Sequence, residues 1–129
     1  MRRRIYSGSP FEEIAGYARA VVDDGWVFVS GTTGYDFETG TISDEPAEQA
    51  RQCFRNIADA LDRAGSSLSD TVRVVIYIAD RGDFDAIASV VGDHFRDIRP
   101  ANTTVITELV KPEMKVEIEV TARRQSTGG

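Results

Sequence analysis

Glu117 and Glu119 stand two residues apart in the run Lys115-Val116-Glu117-Ile118-Glu119-Val120, near the end of a 129-residue chain. Alternating apolar and polar side chains over this run predict a strand that carries both carboxylates on one face. On a solvated strand two such neighbours merely repel. In a dry cleft, desolvation raises a carboxylate's pKa, and the group can then move protons. Other chemically capable residues are few. His94 is the single histidine and lies on a predicted helix, where it is expected as an ordinary surface or packing residue. Cys53 is the single cysteine, expected as a small reduced hydrophobe. One His and one Cys do not build a usual zinc site, and neither a Ser-His-Asp set nor a nucleophile elbow can be assembled. Gly31-Thr32-Thr33-Gly34 lacks the Gly-Lys-Ser/Thr ending of a phosphate loop, and no dinucleotide fingerprint is present. Its two glycines, at the end of a strand, suggest a bulge or a close approach of backbone to another group.

The elements that must position these groups follow from periodicity and turn chemistry. Residues 17–22 and 26–30 read as strands joined through Asp23-Asp24-Gly25, a hairpin signal. A helix is predicted over 45–64, with Ser43 or Asp44 as N-cap, Pro46 in the first turn and Gly65 beyond the end. Ala47, Ala50, Phe54, Ile57, Ala58 and Leu61 form its apolar face. Residues 71–79 are the clearest strand. Val72, Val74, Ile76 and Ile78 are expected on one face, and Val75 and Tyr77 on the other, so both faces need a cover. A second helix is predicted over 83–97 with a Phe84, Ile87, Ala88, Val91, Phe95 stripe, stopped at Arg99-Pro100. Strands over 103–110 and 114–122 complete a β-β-α-β-α-β-β order. Two helices of this kind usually lie on one face of a mixed sheet, leaving the other face as the expected assembly surface.

Length and charge bound the rest. The chain is expected to be a single domain over 1–129, with an ordered core from about 6 to 123 and a flexible tail over 124–129. At this size a core forms without a disulfide or metal. The formal charge of −6 argues against a nucleic-acid partner. Arg2, Arg3 and Arg4 read as a solvated end or the start of an edge strand rather than a nucleic-acid arm. No apolar run is long enough for a membrane span, and none follows Met1 as a secretory signal would, so the cytoplasm is the expected compartment. The residues alone thus reach an acidic α+β domain that oligomerises, with no reaction assigned.

Five motifs carry a resemblance that goes further. Ile14-Ala15-Gly16-Tyr17, Val29-Ser30-Gly31, Ala64-Gly65-Ser66-Ser67-Leu68-Ser69-Asp70, Arg99-Pro100-Ala101 and Val116-Glu117-Ile118-Glu119-Val120 occur in that order. Together they resemble the RidA/YjgF/YER057c/UK114 family, also called the endoribonuclease L-PSP family, over nearly the whole chain. The resemblance implies a chorismate-mutase-like α+β fold: a mixed sheet with two helices on one face, three copies closing a trimeric β-barrel core. It implies small-molecule clefts between the subunits of a homotrimer, and hydrolysis of imine or enamine intermediates to keto acids and ammonia without cofactor or metal. Carried over by position, it makes Tyr17, Ser30 and Gly31 ligand contacts and Glu119 the carboxylate that positions the attacking water. Where active members carry a carboxylate-binding arginine, this chain has Asn102. Thr104 stands where many have cysteine, and Ala88 where some have asparagine. Asn cannot replace a bidentate Arg–carboxylate fork. The expectation is therefore a Rid-type hydrolase of a small imine, enamine or amide, not the carboxylate-bearing 2-aminoacrylate, with Asn102 and Thr104 as neutral partners. Arg99 or Lys111 is the candidate substitute cation. The alternative is a non-catalytic trimer that binds an effector or metabolite. RNA cleavage fits poorly with the negative charge and single histidine.

Overall fold

A computed structural model describes residues 1–125. Six strands form one sheet in the order β1-β2-β3-β8-β6-β7. They are β1 (Arg2–Ile5), β2 (Ala20–Asp23), β3 (Trp26–Thr33), β6 (Thr71–Ile78), β7 (Ala101–Ile106) and β8 (Val116–Arg123). Only β6 and β7 run parallel, and helix α3 (Phe84–Phe95) makes the crossover between them. Tyr35–Asp36 (β4) and Thr41–Ile42 (β5) pair as a small separate hairpin in the segment expected as a loop. The long helix α2 (Pro46–Arg63) and α3 cover one face of the six-stranded sheet.

Local chemistry accounts for these bounds. Asp23 pairs with Trp26, leaving Asp24-Gly25 as a two-residue turn with Asp24 at φ 54°. Pro46 opens α2, and Gly65 at φ 79° ends the reach of its last turn. The core is the apolar stripe of α2 (Phe54, Ile57 and Leu61) and Ile87 of α3, set against Val27, Val74, Ile76, Val116 and Ile118 of the sheet, all essentially inaccessible to water. Gln49 is also fully buried. Its amide donates to the carbonyls of Ser43 and Glu113 and accepts from the Lys115 N–H, tying both loops to α2. Cys53 packs as a buried hydrophobe whose thiol donates to the Thr32 carbonyl, and burial pushes its pKa far up. His94 stacks on Phe54, with ring centroids 4.0 Å apart.

Five local expectations change. A short helix, α1 (Pro10–Ala15), precedes β2, which starts at Ala20 rather than at residue 17. Order extends to β1, outside the expected 6–123 core: Arg2–Ile5 pair with β2 and bury Ile5. In β6 a bulge between Thr71 and Arg73 turns Thr71 inward and leaves Val72 42 % exposed, so Val72 does not share the face of Val74, Ile76 and Ile78. Strand β7 ends at Ile106, because the chain leaves the sheet edge for a loop over residues 107–115. Of the tail expected over 124–129, Arg124 and Gln125 still bond to Gly25 and Gly65, and 126–129 lie outside the described residues.

The helix-free face of the sheet is open. Trp26 and Phe28 of β3, Val75 and Tyr77 of β6, Glu117 and Glu119 of β8 and Val105 of β7 lie on it. Trp26 is 38 % and Phe28 48 % exposed. Among the described residues no helix is long and apolar enough to cross a membrane.

Candidate functional site

The pairing of β3 with β8 slips by one residue between Val29 and Thr32, so Ser30-Gly31 form a bulge. The Glu117 side chain is seated over Gly31, where any Cβ would overlap its Oε2. This is the close approach that the glycine pair suggested. Gly34 similarly lies against the backbone of Gln49. Glu117 is half-buried, and burial raises its pKa above the ordinary carboxylate range. The neighbouring charge of Glu119 adds to that rise, and Arg19 opposes it.

Glu119 sits differently. It pairs across the sheet with Val75 and accepts a short hydrogen bond from the Tyr77 hydroxyl. That bond is the first cause of the raised Tyr77 pKa, with burial and the charges of Glu119 and Glu117 behind it. Of the two glutamates on this face, Glu117 is the one held beside the Ser30-Gly31 bulge, and Glu119 is held by a tyrosine.

Tyr17, Ser30 and Gly31 gather at the same end of the sheet as Glu117, around Arg19. The Arg19 guanidinium lies 5.6 Å from the Tyr17 ring centroid and 5.5 Å from that of Phe37. Its Nη1 donates to the Gly31 carbonyl at 2.9 Å and to Thr32 Oγ1 at 3.1 Å, and its Nε donates to Glu12 at 3.1 Å. The pair is buried, with Arg19 4 % and Glu12 5 % exposed at the side chain. Glu12 also accepts from the Ser7 N–H and hydroxyl. Ser30 donates its hydroxyl to the Ala18 carbonyl at 2.7 Å, and its N–H bonds to the Arg19 carbonyl. Sequence reasoning missed Arg19 and Glu12. The available signal was a lone arginine in the small-residue run Ala18-Arg19-Ala20, seven residues after a glutamate in a helix opened by Ser9-Pro10.

Asn102 and Thr104 are not part of this cluster. In register they lie beside Val74 and Ile76, whose side chains enter the helix-covered core, whereas Glu119 aligns with Val75 and Thr103 on the open face. Asn102 and Thr104 therefore look past the β7 edge toward α3, and Thr104 donates its hydroxyl to Asn102 Oδ1 at 2.8 Å. Within one chain the open sheet separates them from Glu119 and from Tyr17. Arg99 borders a neighbouring recess with Asn102, its Nε spent on the Arg96 carbonyl, and Lys111 lies over Phe11. Among the described residues no group of three or more His, Cys, Asp and Glu converges on a point that could hold a metal ion.

A model of the family described as "Endoribonuclease L-PSP" matches residues 8–124. The chain belongs to this family. A solved structure from Mycobacterium tuberculosis, described as a member of the YjgF/YER057c/UK114 family, is 39 % identical. It superposes with a TM-score of 0.86 over 95 % of this chain and 99 % of the other, and the shared fold is the RidA-type α+β fold. Human 2-iminobutanoate/2-iminopropanoate deaminase is 28 % identical over 95 % of this chain and 90 % of its own length. The protein of the same description from Dermatophagoides farinae is 34 % identical over 84 % and 85 %.

Proposed function

We propose that this Rid-family chain hydrolyses a small imine, enamine or amide in clefts between the subunits of a homotrimer, with Glu117 as the base. The observation that carries the reading is the half-buried Glu117 carboxylate seated over Gly31 in the Ser30-Gly31 bulge. A carboxylate whose pKa is raised by burial is a stronger base toward water than an ordinary one. Water oxygen adds to the imine carbon while Glu117 takes its proton and passes it to nitrogen. Both water protons end on nitrogen, ammonia departs, and the carbon is left as a carbonyl. The relatives described as deaminases support this reaction class. Glu119, expected from the motif to be the base, takes on this reading the part of a neighbouring charge that keeps Glu117 protonatable.

The trimer belongs to the same proposal. Tyr17, Ser30 and Glu117 lie at one end of the sheet and Asn102 and Thr104 at its far edge, so a cleft that uses both sets needs a second copy. The helix-free face, with Trp26 and Phe28 exposed and Tyr77 half-buried, supplies the surface for it. Light scattering at micromolar concentration is expected to report about three times the 14.2 kDa chain mass. A monomer would remove the cleft.

Asn102 sets the expected substrate. Without a cation at that position, hydrolysis of 2-iminobutanoate should be slight beside that of neutral imines and amides. Asn102→Arg should tighten binding of a small 2-keto acid by about tenfold or more, the low end of what a buried ion pair contributes. The test is turnover on both substrate classes with wild type and variant. Unchanged keto-acid affinity in the variant would show that position 102 does not face the ligand. Absence of turnover on every neutral and anionic imine would favour the binding-module alternative.

A further inference from the structure

We propose that the groove between α3 and β7 is a subsite for a flat apolar substituent carried next to a neutral amide or amide-like group. The proposal deepens the reading above and rests on it, since it names the substrate class of the same cleft. Two small residues one turn apart on α3, Ala88 and Gly92, open the groove, and Ile78, Phe84 and Val91 wall it. Its free volume is about 260 Å³. A dry apolar cavity of roughly 150 Å³ already holds a benzene ring. Phe84, 43 % exposed, forms an apolar rim. Among the described residues no charged side chain lines the groove itself; the nearest cations are Arg96, whose guanidinium lies against Gly92, and Arg99, which borders the adjoining recess.

The polar end is specific. The Thr104 hydroxyl spends its proton on Asn102 Oδ1, so Thr104 Oγ1 keeps lone pairs to accept with. The Asn102 amide nitrogen keeps its two N–H donors. A donor beside an acceptor matches the carbonyl and N–H of a primary or secondary amide. A carboxylate offers only acceptors and would face the Thr104 lone pairs. The chemistry on both walls thus selects an arylamide-like molecule over an aryl carboxylate.

Benzamide is the probe, with acetamide and benzoate as controls, and binding is read by titration calorimetry on the full chain. Wild type should bind benzamide at least tenfold more tightly than either control. Ala88→Leu fills the groove and should remove that preference, with light scattering and circular dichroism verifying assembly and fold; Ala88→Val serves if the leucine variant does not fold. Imine turnover is measured separately on the same wild-type protein: selective benzamide binding without turnover fails the hydrolase reading alone, and turnover without benzamide selectivity fails the subsite alone. Benzoate binding as tightly as benzamide, with the affinity lost in Arg99→Gln, would overturn the proposal in favour of a relocated cation. So would benzamide affinity unchanged in both Ala88 variants.

Discussion

Replacing Glu117 with glutamine is expected to lower kcat/KM on any imine the wild type turns over by roughly two to four orders of magnitude, the range that a positioned general base supplies. Glu119→Gln should leave most of the activity, because its carboxylate bonds to Tyr77 rather than pointing at the Ser30-Gly31 bulge. The pH profile separates the two residues further. Burial and the Glu119 charge hold Glu117 above the ordinary carboxylate range, so the acidic limb of kcat/KM should lie above that range. Glu119→Gln removes a like charge and should move the limb to lower pH. Stability should respond with the opposite sign to that of a salt-bridged carboxylate. The folded pKa lies above the unfolded one, so the folded state holds the proton more tightly, and stability is lost as pH rises from the unfolded value through the folded value. Glu117→Gln should therefore raise Tm at pH 7 relative to wild type, with the difference vanishing below the unfolded pKa. Loss of activity in Glu119→Gln with retention in Glu117→Gln would reverse the assignment.

Arg19→Met should destabilise the fold by about 3–5 kcal/mol, the usual cost of removing one partner of a buried ion pair. The variant strands Glu12 and leaves the Gly31 carbonyl and Thr32 hydroxyl without their shared donor. Glu12→Gln in the same background should restore part of the loss, because no uncompensated charge then remains. Urea unfolding of wild type, Arg19→Met, Glu12→Gln and the double variant measures both effects. Equal stability in wild type and Arg19→Met would show that the pair is dispensable to the fold and that Arg19 does not brace the bulge. A coupling near zero between positions 12 and 19 would show that the two charges act independently.

Much of the fold was legible because it follows from short-range rules. The apolar spacing of Phe54, Ile57 and Leu61 specifies a helix, Pro46 and Gly65 mark its limits, and Asp24-Gly25 turns the first hairpin. The Gly31-Thr32-Thr33-Gly34 pattern signalled a bulge or close approach, and both glycines are indeed filled against, by Glu117 and by Gln49. The β6 face was misread at Val72 because a single bulge inverts the alternation on one side of it. The three arginines read as a solvated end or the start of an edge strand, and the second reading holds: Arg2–Ile5 pair with β2, Arg2 bonds to Asp23 and Ile5 is buried.

The candidate site divides in the same way. Period-two alternation places Glu117 and Glu119 on one face whatever surrounds them, so the sequence alone determined that a carboxylate pair would stand there, next to a strand ending in glycine. It also determined that the position after Pro100-Ala101 carries no cation. Which glutamate is enclosed could not follow from alternation, since the two are chemically identical and equally spaced. The one-residue slip between β3 and β8 decides it, seating Glu117 over Gly31 and leaving Glu119 to Tyr77. The burial of Arg19 with Glu12, and the placing of Asn102 and Thr104 across the sheet from the carboxylates, are likewise tertiary. They depend on how a short helix returns onto β2 and on which side of the β7 edge a residue falls, and desolvation by residues distant in sequence, not spacing, sets the charge and reach of each group.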